Sequence, residues 1–266
     1  MSVGITAFRR TIAVLLGICF SLPLYAQAIT VNPSTLEATL KEQVVSPRAF
    51  FVNGALTQGL SPEMATTMYR LGPTSRTLVT FTALRMHANG LLDLDEDVAK
   101  TLPNILEENP FRVAVTPRHL LTETAGFAVP PIASADIELE RFATLLRTAG
   151  QMAHTDTVGW AVLIAFLEEK GSATFAELAN TYVLASLGLL SSTLEVPRSS
   201  AALAGIRDMT GSGALIAELA RLMVRNKGTD AGRFLPPDLY EQLTERPSWR
   251  MHPLGPRRTL GGVLHD

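Results

Sequence analysis

The side chains able to do chemistry in this chain are thinly spread. Ser75 stands in Leu71-Gly72-Pro73-Thr74-Ser75-Arg76-Thr77, at the start of a long apolar run. A serine in such a place can act as a nucleophile when a base lies beside it. Arg76 is not that base, because a guanidinium stays protonated at any working pH. His154, in the polar segment Gln151-Met152-Ala153-His154-Thr155-Asp156-Thr157, can serve as one. A lone loop histidine is more often a solvated or packed residue.

Other chemistries find less support. The 5 His (His87, His119, His154, His252 and His265) show no paired metal spacing. Asp93, Asp95 and Asp97 alternate as calcium ligands can. No turn glycine follows, and Asn104 holds the twelfth place where a glutamate is needed. Helix capping and a solvated face account for them. There is no Gly-x-Ser-x-Gly elbow and no phosphate-binding glycine loop. The single cysteine, Cys19, lies in the N-terminal segment, so the chain beyond it has no thiol for catalysis. A formal net charge of -2 gives no electrostatic footprint for nucleic acid. No cofactor and no metal are expected.

The elements that must position these groups are legible from periodicity and punctuation. Asn32-Pro33-Ser34 caps an expected first helix within residues 29–45. Ala49-Phe50-Phe51-Val52 reads as a short strand closing on the turn Asn53-Gly54, and a further strand is expected before Tyr69-Arg70-Leu71. Thr77 to Asn89 is a helix apolar nearly all round, as a helix inside a domain should be. Pro73 suits its first turn and Gly90 the left-handed position that ends it. Thr116 caps a helix whose first position is Pro117, and that helix opens into a turn at Gly126. Gly159 to Glu169, Phe175 to Leu184, Gly213 to Met223 and a short stretch from Phe234 through Leu243 are further helices. Pro130-Pro131 marks a loop.

The spaced blocks resemble the serine β-lactamase, penicillin-binding-protein and related esterase family, nearest its class C-like branch. Residues 71–77 resemble the Gly-Ser-x-Ser-Lys-Thr segment, with Arg70, Gly72, Ser75, Thr77, Gly90, Leu92, Asp93, Leu94 and Asp95 in register. Residues 115–126 resemble Ile-Thr-x-x-His-Leu-Leu-x-His-Thr-Ser-Gly, departing at Glu123 and Ala125. Gly159 to Glu169 resembles the Gly-Tyr-x-Leu-Leu-x-x-Ile-Ile-Glu helix, and Gly213 to Met223 the helix ending Asp-Leu-Ala-Arg. The resemblance implies an α+β fold, β-lactamase/transpeptidase-like, with a helical domain on an antiparallel sheet. It also implies that the sheet is incomplete at the C-terminus, because the chain stops at Asp266 where family members continue.

The same resemblance puts Pro73 at the nucleophile and Arg76 at the lysine. Gapless register puts Thr155 and Thr157 at the Tyr and Asn of the Tyr-x-Asn loop; a shift by one uses His154 and Asp156. Arg258-Thr259-Leu260-Gly261 is a faint echo of Lys-Thr-Gly with one residue too many. No catalytic position is intact, and Ser75 and His154 remain as fallback candidates. Ser75 matches the family's non-catalytic serine.

Residues 1–28 have the form of a secretory signal peptide: Arg9-Arg10, an apolar run from Ile12 to Phe20, and an Ala26-Gln27-Ala28 end. Residues 29–266 are then one domain, expected to be C-terminally truncated. The expected location is periplasmic or secreted, with membrane contact only through an uncleaved signal segment. Three functions stay open. The first is a protein without acyl-transfer activity that binds a peptidoglycan-derived peptide, a β-lactam-like small molecule or a partner. The second is an active hydrolase with a displaced site at Ser75. The third is a non-enzymatic interaction protein whose sheet a partner strand completes.

Overall fold

A computed structural model describes residues 51–52, 55–56, 62–106, 109–128, 143–152, 157–197, 208–225, 232–244, 249–250, 257–259 and 262–264. The expected first helix within 29–45 and the expected signal segment lie outside these residues, as does the loop at Pro130-Pro131. All of the described residues belong to the unit Pro47–Asp266.

Strand β1 (Phe51–Val52) falls within the strand expected at Ala49 to Val52 and pairs antiparallel with β2 (Ala55–Leu56). The short helix α1 (Pro62–Thr66) then leads into β3 (Met68–Arg70), which includes Tyr69 and Arg70, whereas the strand was expected before them. Helix α2 spans Thr74–Ala88 and begins three residues earlier than its apolar content suggests. Leu78, Val79, Phe81, Ala83, Leu84 and Met86 on it are all buried, so α2 runs through the core rather than over it. Removing a side chain such as Phe81 from water contributes about 1.5–3 kcal/mol. Its ring meets Phe234 edge-on, with centroids 5.4 Å apart. Gly90 ends the helix with φ +75°, the left-handed conformation a glycine adopts without penalty.

Helix α3 (Pro117–Leu121) is capped as its sequence predicts. The Thr116 hydroxyl accepts from the His119 N–H, and the His119 ring accepts from the Thr116 N–H, closing a capping box. Helix α4 (Val158–Gly171) is buried along Val158 to Ile164 and packs against α3 and α2. Helix α5 (Phe175–Ala179) is shorter than the expected Phe175 to Leu184, because Asn180–Leu184 widens into a π turn followed by a 3₁₀ turn at Ala185–Leu187. The physical reason lies on α2. Arg85 Nε donates to the Tyr182 carbonyl at 3.2 Å and its Nη2 to the Ser186 hydroxyl at 3.3 Å. A side chain from a neighbouring helix thus supplies a donor where the regular ladder breaks.

Strand β4 (Leu194–Glu195) and strand β5 (Thr210–Ser212) complete a three-stranded antiparallel sheet in the order β3-β5-β4. Gly211 is central in it, and a Cβ there would come within 2.8 Å of Leu71. Helix α6 (Gly213–Arg225) follows directly and packs on α1, α2 and β5. Helix α7 (Pro237–Thr244) starts three residues after the expected Phe234, with Pro237 in its first turn, where a proline costs no intrahelical hydrogen bond. Strands β6 (Trp249–Arg250), β7 (Arg257–Thr259) and β8 (Gly262–Leu264) form a second antiparallel meander, with β7 and β8 beside α7. The described residues thus combine helices with small antiparallel sheets, which is the expected α+β class.

Candidate functional site

The chain enters the candidate site from β3. Leu71 is buried and its N–H donates to the Met209 carbonyl at 2.9 Å. Gly72 follows with φ +50°, and Pro73 takes the N-cap of α2 with helical φ and ψ. The proline fits because its ring presets φ and no intrahelical N–H partner is lost there. The N–H groups of Thr74, Ser75 and Arg76 turn back to the carbonyls of Leu71, Gly72 and Pro73 at 3.0, 3.1 and 3.2 Å. This start of the helix is therefore satisfied from within.

Pro73 has neither a hydroxyl nor a backbone N–H. It can neither attack a carbonyl nor donate to an oxyanion. Ser75 is fully buried, and its hydroxyl donates to the Gly72 carbonyl at 2.6 Å. In that bond the hydroxyl proton points to main chain.

Arg76 points elsewhere. Its Nη1 donates to Glu123 Oε1 at 2.7 Å, and Trp160 Nε1 donates to the same oxygen at 3.0 Å. The guanidinium also lies over the Trp160 ring, 5.7 Å from its centroid. The side chain of Glu123 is 5% exposed and that of Arg76 31%. A buried carboxylate needs both a countercharge and hydrogen-bond donors, and here the two come from different helices.

The local fold explains how Glu123 reaches this place. After α3 the Thr124 N–H donates to the His119 carbonyl at 2.8 Å, and Glu123 adopts φ +55°, left-handed for a residue with a Cβ. The segment is then held by Gly150 N–H on the Thr124 carbonyl at 2.8 Å and by Leu146 N–H on Gly126 O at 2.9 Å. Gly126 itself has φ +89°, and a Cβ there would lie 2.4 Å from the Arg147 carbonyl oxygen. Trp160 comes from the first turn of α4, so α2, the exit of α3 and the start of α4 converge on one ion pair.

Of the expected positions, Pro73, Ser75 and Arg76 sit in the first turn of α2. Thr157 is the N-cap of α4 and is half-buried, with no capping bond from its side chain. Thr155, His154 and Asp156 lie outside the described residues. Arg258 and Thr259 belong to β7, while Leu260 and Gly261 lie outside the described residues. Glu123 and Trp160 were not expected at the site. The available signal was an acid at the 123 departure that answers the cation at the 76 departure.

The acidic run is structural. Asp93 accepts from the Asp95 N–H and Asp97 from the Ala99 N–H, each at 3.0 Å. Asp95 takes Arg118 in a two-pronged bond of 2.7 and 2.9 Å, and Arg118 Nη1 continues to Gln242 on α7 at 3.0 Å. The Arg118 hydrogen bond holds the Asp95 carboxyl below its ordinary range, and the same bond raises Arg118. Burial pushes the His119 imidazole down, against the pull of Asp95. Among the described residues no group of three or more His, Cys, Asp or Glu is placed to hold a metal ion.

Comparison with known proteins follows the same lines. The sequence profile described as beta-lactamase matches residues 41–262. A search of curated protein sequences finds no match. FmtA from Staphylococcus aureus is similar in structure, with a TM-score of 0.59 at 13% identity over 79% of this chain and 69% of that one. A penicillin-binding protein homologue from Pyrococcus abyssi, which is octameric, gives 0.56 at 14% identity over 76% and 54%. A β-lactamase from Mycobacterium bovis gives 0.50 at 19% identity over 67% and 54%. The chain thus spans about half the length of the last two proteins. At these identities the likeness concerns the fold, and the fold is the β-lactamase/transpeptidase-like one that the spaced blocks imply.

Proposed function

Because the chain belongs to the beta-lactamase family, we propose that it is a serine hydrolase-like protein in which acyl transfer is silent. Acyl transfer on a serine needs a nucleophile, a group that takes its proton, and donors for the oxyanion. The observation that carries the proposal is the first turn of α2. Pro73 offers neither nucleophile nor N–H there, and one turn on Arg76 is bound to Glu123 at 2.7 Å. A guanidinium cannot accept a proton, and this one is also held in a salt bridge.

Ser75 does not replace the missing serine in this account. Its hydroxyl is buried and donates to main chain, so attack on a substrate would require the first turn of α2 to open. The remaining role is binding. The ligand class we propose is a peptidoglycan-derived peptide or a β-lactam-like small molecule, held without covalent chemistry. Export by the N-terminal segment to the periplasm or beyond belongs to the same proposal.

The test is incubation of the purified chain with a fluorescent penicillin and with a fluorophosphonate. The expected result is no covalent label with either. Stoichiometric labelling would overturn the proposal, and loss of that label in Ser75→Ala would assign the displaced site instead.

A further inference from the structure

Resting on the proposal that acyl transfer is silent, we infer that Glu123 is a second determinant of that silence. Its carboxylate fixes position 76 as a cation site, so that even a lysine placed there would be held protonated.

The inference stands on geometry. Glu123 is 5% exposed, and the two described donors to its Oε1 are Arg76 and Trp160. The Trp160 N–H satisfies a lone pair and brings no charge. In the described ion pair the opposite charge comes from position 76. A lysine amine at position 76 would end about where the guanidinium carbon now lies, within the 4–6 Å at which an opposite charge favours the charged form. The turn presents the carboxylate there as well: Glu123 sits at φ +55° between the end of α3 and the segment bonded to Gly150, and Trp160 Nε1 donates to the same oxygen that faces Arg76.

The consequence is chemical. An amine acts as a general base only through its lone pair, which the ammonium form lacks. Restoring serine and lysine at positions 73 and 76 would thus leave the amine charged while Glu123 remains.

The experiment compares Arg76→Lys with Arg76→Lys/Glu123→Gln, each labelled with ¹³C at lysine Cε and followed by NMR from pH 7 to 10.5. The new resonance is assigned against the unaltered chain. With Glu123 present the introduced amine stays protonated through pH 10. With Gln it titrates lower by about 1 unit or more, because the opposite charge beside the amine is gone. Equal titration in the two backgrounds overturns the inference and leaves the silence of the unaltered chain untouched. Covalent labelling of the unaltered chain overturns that silence and is read separately. If the Gln variant does not fold by far-UV circular dichroism, Glu123→Asp takes its place. It draws the carboxylate back by one methylene, and the expected shift has the same sign.

Discussion

The Arg76–Glu123 pair makes a quantitative prediction. Arg76→Met removes the Arg76 countercharge from a carboxylate that is 5% exposed and keeps the Trp160 N–H at 3.0 Å. Breaking a buried pair from one side costs about 3–5 kcal/mol. The Arg76 side chain is 31% exposed, so water reaches the vacated space, which sets the expectation at the low end, about 3 kcal/mol. Glu123→Leu has a different cost. Arg76 can turn its head to solvent, but the indole N–H loses its acceptor, for about 2 kcal/mol. Independent sites would lose roughly 5 kcal/mol together. Removing both charges at once leaves mainly the stranded indole, so the double variant should lose about 2 kcal/mol. The coupling is then about 3 kcal/mol. Urea unfolding followed by circular dichroism measures all four corners without relying on Trp160 as its own reporter. A coupling below about 0.5 kcal/mol, the scatter of independent sites, would refute the claim that these residues act as one buried unit.

Other consequences are simpler to check. Gly126→Ala should lose about 3 kcal/mol or more by thermal unfolding, because its Cβ meets the Arg147 carbonyl oxygen at 2.4 Å as well as a left-handed backbone. Gly90→Ala, at φ +75° with nothing within 4 Å, should lose only about 1 kcal/mol. Arg118→Lys should cost less than about 1 kcal/mol and be salt-sensitive, since the Asp95 side chain is 61% exposed. The folded imidazole of His119 titrates below its unfolded value of 6.5, so the unfolded chain binds the extra proton. Its contribution is complete above pH 6.5 and is lost as pH falls towards the folded value. Urea midpoints between pH 7.5 and 5 should therefore fall less steeply in His119→Asn.

The local elements of this fold were legible because their signals are local. Thr116 and Pro117 announce a capped helix, Gly90 ends α2, and the short helix expected from Phe234 through Leu243 appears as Pro237–Thr244. Asn53-Gly54 likewise lies between two short strands. The π turn at Asn180–Leu184 was not legible, because Arg85 reaches it from 97 residues away. The ion pair was missed for the same reason. Arg76 and Glu123 are 47 positions apart and Trp160 a further 37 from Glu123, so each looked like a separate departure from a motif. Trp160 in particular read as one more apolar residue on a buried helix. What joins the three is the left-handed turn at Glu123, a conformation no propensity assigns to a glutamate.

The account turns on whether the start of α2 retains any acylating group. Intact-mass spectrometry of the purified chain after long incubation with excess fluorophosphonate measures that directly. The account predicts the unmodified mass alone. A single stoichiometric adduct, mapped by peptide sequencing to Ser75 or to any other serine, would contradict it.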